Sequence, residues 1–338
     1  MQHANPTLGD FLSLDGLPFW VNGPIVLATF ALVGLGAHWV VESAARIAKR
    51  WGVSELVIGL TVVALGTSAP EFAVTLVAAF EGHGNISVGN VVGSNIFNLG
   101  FILGGCALVR AIPIDPTLLR RDGTVLGGTT LLLLALIGWD LRLDRHDGVL
   151  LFILLGAYLW YLFRQRRAGV DHGDEDERSS ATRRESSLPR DGALLLLGLL
   201  CIVGGSHFLV ESATVIARGF GVSEWVIGVT IVAAGTSAPE LATSLAGVLK
   251  GRYALSAGNV VGSDIFNLLG VLGLAGMLRP MEIDVMARIS LFALCGMVLL
   301  VLLFMRTGWR VSRLEGLALV AIAASRWGLD LSARVPVP

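Results

Sequence analysis

Charge is scarce in this chain. Of its 338 residues 15% are Asp, Glu, Lys or Arg, 54% are apolar, and the formal net charge is −1. That balance supplies no basic field for a phosphate backbone, so nothing in it suggests nucleic acid, and no nucleic-acid partner is expected. Cysteine is scarcer still: Cys106, Cys201 and Cys295 form an odd set dispersed through apolar segments, which argues against a disulfide framework and for small buried hydrophobes. No basic residue precedes Arg46, so the first apolar stretch lacks the charged leader of a cleaved signal and is expected to be retained. Nor does a Ser or Asp pair sit beside a plausible base, which disfavours an intramembrane hydrolase.

What abounds is long hydrophobic runs, many exceeding the roughly 18 residues that separate a membrane span from a buried soluble helix. Continuous rather than alternating, they predict an all-α membrane protein with ten transmembrane helices. The expected limits are 24–45, 55–80, 86–109, 122–139, 147–163, 192–217, 223–249, 255–278, 288–305 and 314–330. The fifth and sixth are joined by "RQRRAGVDHGDEDERSSATRRESSLPR", too charged to pack and expected to be a solvated linker; its "DEDE" could alternatively hold a regulatory cation. The division that follows is an N-terminal segment 1–23, a five-helix repeat 24–164, a cytoplasmic loop 165–190 and a second five-helix repeat 191–338.

The two halves are copies. "GLTVVALGTSAPEFA" aligns without a gap on "GVTIVAAGTSAPELA" at an offset of 169, and 38 of 65 positions from Gly36 to Gly100 are identical to their partners. Five spans per half is odd, so the second copy enters the membrane upside down, giving two inverted-topology repeats, an architecture of secondary transporters. With both termini outside, about 18 of the 25 Lys and Arg fall on the inner side, among them Arg46, Arg110, Lys250 and Arg306.

"GTSAPE", at 66–71 and 235–240, places Glu71 and Glu240 inside apolar runs. A charge at the bilayer centre costs roughly 2.5–3.5 kcal/mol on insertion scales, so intramembrane acids usually face a cavity and act there. Pro70 and Pro239 lack the N–H that would occupy the carbonyls of Gly66 and Gly235. On a helix Ala64, Thr67, Ser68 and Glu71 share one face, as do Ala233, Thr236, Ser237 and Glu240. Facing each other across a pseudo-twofold axis, the two carboxylates would repel by roughly 3 kcal/mol at about 5 Å and an effective dielectric near 20, so the pair must hold a cation or a proton. Hard oxygens suit calcium or sodium better than a soft metal.

A second motif follows each first: "SVGNVVGSNIFNLG" at 87–100 and "SAGNVVGSDIFNLLG" at 256–270. Gly89, Gly93, Gly258 and Gly262 permit close helix approach; Asn90 and Asn259 could satisfy freed carbonyls; Ser94 and Asn98 share a face, as do Ser263 and Asn267. Asp264 replaces the Asn95 of the first copy, either as an extra acid near the pathway or as a helix-end residue facing water. Glu42 and Glu211, beside His38 and His207, read as snorkelling interfacial residues or as cation-attracting rims, and Ser54–Glu55 and Ser223–Glu224 as helix N-terminal caps.

The paired "GTSAPE" and "GNVVGS" segments resemble the alpha-repeats of the cation/calcium exchanger superfamily, in particular the prokaryotic sodium/calcium exchangers, across both halves. The resemblance implies four ion sites clustered midway, with Glu71 and Glu240 as central ligands. Thr67, Thr236, Ser68 and Ser237 would add hydroxyls, Ala64 and Ala233 backbone carbonyls, and Ser94, Asn98 and Ser263 further ligands. At 267 some relatives carry Asp, associated in the potassium-dependent branch with potassium transport; Asn267 stands there here, so potassium independence is expected. The implied activity is exchange of three sodium ions for one calcium, electrogenic, in the plasma membrane. The partners are those ions and the lipid bilayer, with neither cofactor nor obligatory protein partner. A proton/calcium antiporter and an ion channel are the alternatives; a purely structural membrane protein leaves the duplicated acids unexplained.

Overall fold

The computed structural model describes residues 19–165, 187–220, 233–283 and 285–332. The central linker with its "DEDE", and Ser223–Glu224, lie outside them.

Ten helical spans follow the hydrophobic runs. The first half has α1 (Phe19–Trp51), α2 (Glu55–Thr67 and Ala69–Glu81), α3 (Gly84–Val109), α4 (118–140) and α5 (Arg145–Gln165). The second has α6 (Leu188–Gly219), α7 (Ala233–Thr236 and Ala238–Leu249), α8 (Tyr253–Leu278), α9 (Val285–Arg306) and α10 (Arg313–Ser332). Among the described residues seven helices are long and apolar enough to cross a membrane, and the bent pair of α2 makes an eighth. The expected start of α7 falls among undescribed residues, and α10 carries Arg313, Glu315, Arg326 and Asp330.

Local chemistry accounts for the interruptions. In α2 the axis bends by 50° at Ser68, because Pro70 occupies the first turn of the second segment and cannot donate back across the junction. The Ser54 hydroxyl caps the start of α2, accepting from Val57 N. Turns of π-helix at 59–63, 98–103 and 266–271 interrupt α2, α3 and α8, the last two at nearly repeat-related positions.

Inversion is visible in the loops. Strand β1 (Ile112–Pro113), after α3, pairs antiparallel with β4 (Arg310–Val311), between α9 and α10. Strand β2 (Arg142–Leu143), between α4 and α5, pairs with β3 (Met281–Glu282), after α8. Each pair thus joins the third–fourth loop of one half to the fourth–fifth loop of the other, which share a face of the bundle only if the halves are inverted.

Packing divides the molecule in two. One apolar cluster joins α3, α4, α5, α8 and α9 with parts of α2 and α10; a second joins α1 and α6 to Ile58, Val63 and Leu255. Helices α1 and α6 cross where a Cβ on Gly36 would stand 2.7 Å from the Gly198 carbonyl oxygen and one on Gly198 2.8 Å from that of Gly36, so backbone meets backbone. The inner crossing is equally tight: a Cβ on Gly59 would lie 2.5 Å from the Leu255 carbonyl, and one on Gly262 2.7 Å from Leu60 Cα. Residues 225–229, the repeat counterparts of 56–60, lie outside the described residues.

Candidate cation site

The two broken helices and the two glycine-bearing helices that cross them meet around Glu71 and Glu240, both fully buried. The halves contact each other reciprocally. Ser237 Oγ donates to Glu71 Oε1 at 3.0 Å, and Ser68 Oγ donates to Glu240 Oε1 at 2.9 Å. Each acid is therefore held by the serine that belongs to the other repeat, as a pseudo-twofold axis between them requires. The carboxylates are also near enough to repel each other directly.

Supporting groups repeat the symmetry. Asn90 Nδ2 donates to Thr75 Oγ1 at 3.0 Å and reaches the Glu71 carbonyl at 3.5 Å; Asn259 Nδ2 donates to Ser244 Oγ at 3.0 Å and reaches the Glu240 carbonyl at 3.5 Å. Ser263 Oγ lies 3.4 Å from Glu240 Oε1. The Thr67 hydroxyl has one proton and three acceptors within reach: Val63 O at 3.1 Å, Ala64 O at 3.3 Å and Asn259 Oδ1 at 3.2 Å. Ser94, Asn98 and Asn267 are buried alongside. Ala64 keeps its carbonyl inside the helix, accepting from Ser68 N at 3.0 Å. Thr236 lies on the described part of α7, and Ala233 begins it. The shared face expected of a continuous helix is instead made by two segments meeting at Ser68, which turns Glu71 toward the other repeat.

The centre has a surplus of acceptors. Glu71 Oε2, Glu240 Oε2, Asn98 Oδ1, Asn267 Oδ1 and Asp264 Oδ2 are all buried without a hydrogen-bond donor in the protein. Unpaired buried acceptors are costly, and a cation satisfies several at once. These are carboxylate and amide oxygens with serine hydroxyls beside them, the hard set that calcium and sodium take. Asp264 is fully buried and does not face water.

Several features were not legible in sequence. Asn95 joins the network, donating to the Asp264 carbonyl at 3.1 Å and accepting from Asn267 Nδ2 at 3.0 Å; Thr75 and Ser244, four residues past each glutamate, brace the asparagines. The duplicated hydroxyl at that position was the available signal. Glu42 does not simply snorkel: it pairs with Lys250 at 3.0 Å and with Arg46 at 3.6 Å, while Arg46 also holds Asp191 at 2.7 Å. Its counterpart Glu211 has His207 at 3.8 Å. Away from the centre, buried Asp122 accepts from Arg121 at 2.8 Å and Tyr158 at 2.9 Å.

Repeat-related surfaces differ in cover. Ala242, Ala246 and Leu255 pack into the cluster of α1 and α6, whereas their counterparts Ala73, Val77 and Ile86 are exposed and line a cleft with Glu81 and His83.

An inverted helical repeat with paired acids buried at its crossing defines a multi-pass membrane ion transporter rather than an enzyme. The family described as "Sodium/calcium exchanger protein" matches residues 23–164 and 192–324, and the chain belongs to that family. It is 37% identical over 305 residues to "Inner membrane protein YrbG" of Escherichia coli, covering 86% of this chain and 90% of that protein. To "Sodium/calcium exchanger MaX1" of Methanosarcina acetivorans it is 33% identical over 338 residues, covering 89% and 95%. A solved structure of the sodium-calcium exchanger NCX_Mj superposes with a TM-score of 0.80 at 30% identity, covering 94% of this chain and all of that one.

Proposed function

We propose that this protein is a secondary antiporter of the plasma membrane that exchanges sodium for calcium by alternating access, with both termini outside. The observation that carries the reading is the reciprocal hold of Glu71 by Ser237 and Glu240 by Ser68, ringed by buried acceptors that a cation would satisfy together. Glu71 and Glu240 are its central ligands. Ser68, Ser237, Thr67, Thr236, Ser94, Asn98, Ser263 and Asn267 supply further oxygens, and Ala64 and Ala233 their carbonyls. Calcium and sodium compete for the same carboxylates, so either load permits switching, while an empty, doubly charged centre resists it. With three sodium ions against one calcium, one charge crosses per cycle, worth roughly 2.3 kcal/mol per 100 mV. The neutral amide of Asn267 supports independence from potassium.

Alternating access is supported by the unequal cover of the two repeats. In the proposed orientation Ala242 and Ala246 face the inside and are closed over by α1, and the exposed Ala73, Val77 and Glu81 face the outside. Exchanging the two arrangements reverses access without moving the acids from their crossing.

The deciding measurement is calcium-45 uptake into proteoliposomes under an imposed sodium gradient. The parent is expected to take up calcium only with sodium inside, and Glu71→Gln and Glu240→Gln to lose that uptake. Sodium-driven uptake retained in both variants removes the site; uptake driven by a pH gradient instead reassigns the protein as a proton/calcium antiporter.

A further inference from the structure

The two loop pairings are alike in backbone and unlike in charge. Trp309 and Leu141 both take positive φ, 54° and 58°, at the equivalent turn, and their carbonyls accept from Ile114 N and Ile283 N at 2.8 Å. Around Leu141 charge is balanced, because Arg142 pairs with Glu282 across the strands at 2.9 Å. Around Trp309 it is not. Arg310 stands opposite Pro113, and two exposed guanidinium groups converge on the indole, Arg306 Cζ at 4.9 Å and Arg120 Cζ at 5.6 Å from the ring centroid. The repeat counterparts of Arg306 and Arg120 are Gly138 and Ile289, so the other pairing lacks this basic couple. Acids close in sequence are engaged elsewhere: Glu315 accepts from Ser312 and Thr307, and Asp122 from Arg121 and Tyr158. Among the described residues no carboxylate pairs with Arg120 or Arg306. Two like charges held against one ring repel each other, and the attraction of the indole face offsets that only in part.

Beside the couple lies an apolar surface of matching depth. Phe292, Leu299 and Leu303 are exposed on α9 at spacings of seven and four, and Arg306 follows three residues on, so one apolar stripe ends in a guanidinium. From Phe292 to Leu303 the stripe runs about 16 Å, close to the roughly 15 Å of one leaflet's hydrocarbon. We propose that Arg120, Arg306 and Trp309 bind the phosphate of one anionic phospholipid, whose acyl chain lies along that stripe. Guanidinium groups donate to phosphate oxygens in pairs, an indole is at home at headgroup depth, and a zwitterionic lipid brings no net charge to offset the repulsion. In the orientation proposed above the site opens to the inner leaflet. Arg120 belongs to the first repeat and Arg306 and Trp309 to the second, so a bound phosphate bridges the halves where β1 meets β4. The site is independent of which ions the protein carries.

Native mass spectrometry of the purified full chain in a neutral detergent tests this. The probes are dioleoyl phosphatidylglycerol and dioleoyl phosphatidylcholine, alike in acyl chains and different in charge. The parent should bind a first phosphatidylglycerol in preference to phosphatidylcholine and melt at a higher temperature with it. Arg120→Gln and Arg306→Gln should each weaken that first phosphatidylglycerol about fivefold, and the double variant about thirtyfold. Arg142→Gln, at the pairing of β2 with β3, is the control and should leave the affinity unchanged. Both arginines of the site are exposed, so should the double variant not fold, the single variants decide. A parent that binds the two lipids equally, single variants with the parent's affinity, or an equal loss in Arg142→Gln overturns the site. Displacement of the lipid by excess inorganic phosphate overturns the lipid assignment in favour of a free anion. None of these readouts uses transport, so a chain without sodium-driven calcium uptake fails the antiporter reading and leaves this one standing.

Discussion

Substituting Gly262 by Ala probes the crossing on which the site depends. The added Cβ would meet Leu60 Cα at 2.7 Å, the Leu60 carbonyl oxygen at 2.8 Å and Ala64 Cβ at 2.9 Å. Two of these are backbone atoms and the third is fixed to the same helix, so no side chain can rotate aside. Ordinary contact lies at about 3.5–4.0 Å, so α8 must retreat from α2 by roughly 0.8 Å or more. Overpacking of this kind typically costs about 1–3 kcal/mol. The displacement also falls next to Ser263 and widens the Thr67–Asn259 contact, now 3.2 Å. Calcium ligands lie at about 2.3–2.6 Å, so oxygens withdrawn by that much cease to coordinate. Calcium affinity by calorimetry and thermal stability in detergent should therefore fall together. Gly128→Ala, on a helix surface with no atom within 4 Å of the new Cβ, is the control. It should be neutral, or stabilising by up to about 1 kcal/mol through helix propensity. A Gly262→Ala protein with the parent's affinity and melting temperature would refute the close crossing as the determinant of site geometry.

Ser68→Ala and Ser237→Ala each remove one hydroxyl from a buried carboxylate, and each should weaken calcium binding by about 1.5–3 kcal/mol; calorimetry giving clearly unequal losses would contradict the pseudo-twofold geometry. Asp122→Asn takes a charged acceptor from Arg121 and Tyr158 far from the site, so it should cost about 3–5 kcal/mol of stability in a detergent melt while flux per folded protein is unchanged. Lys250→Glu turns the Glu42–Lys250 bridge into the like-charged arrangement of its counterparts Glu211 and Glu81. It should loosen the closed side and raise labelling of a cysteine placed at Ala246, and unchanged labelling would show that the bridge does not hold that side shut.

Much of the molecule was readable in one dimension because oil is an exacting solvent. It forces every backbone donor into a helix, so the hydrophobic runs placed the described span limits to within a few residues except in α1, which extends five residues before and six beyond its expected limits, and an odd number per copy implied the inversion. Glu71 and Glu240 stood out because an acid within an apolar run needs a reason, and duplication marked it as shared. Contacts between copies are a different matter. That Ser237 serves Glu71 and Ser68 serves Glu240 follows from the 50° bend and the glycine crossings, which set distances no periodicity contains. The pairing of Lys250 with Glu42 was not legible because its repeat partner Glu81 is an acid, and Asp264 stayed ambiguous because a sequence shows an acid but not the medium around it. Composition and repetition determined the helices, their inversion and the chemistry at the centre; tertiary packing alone decided which oxygens are left without a donor. Partner choice is a property of three-dimensional distance, and an unsatisfied acceptor exists only once every neighbour has been placed.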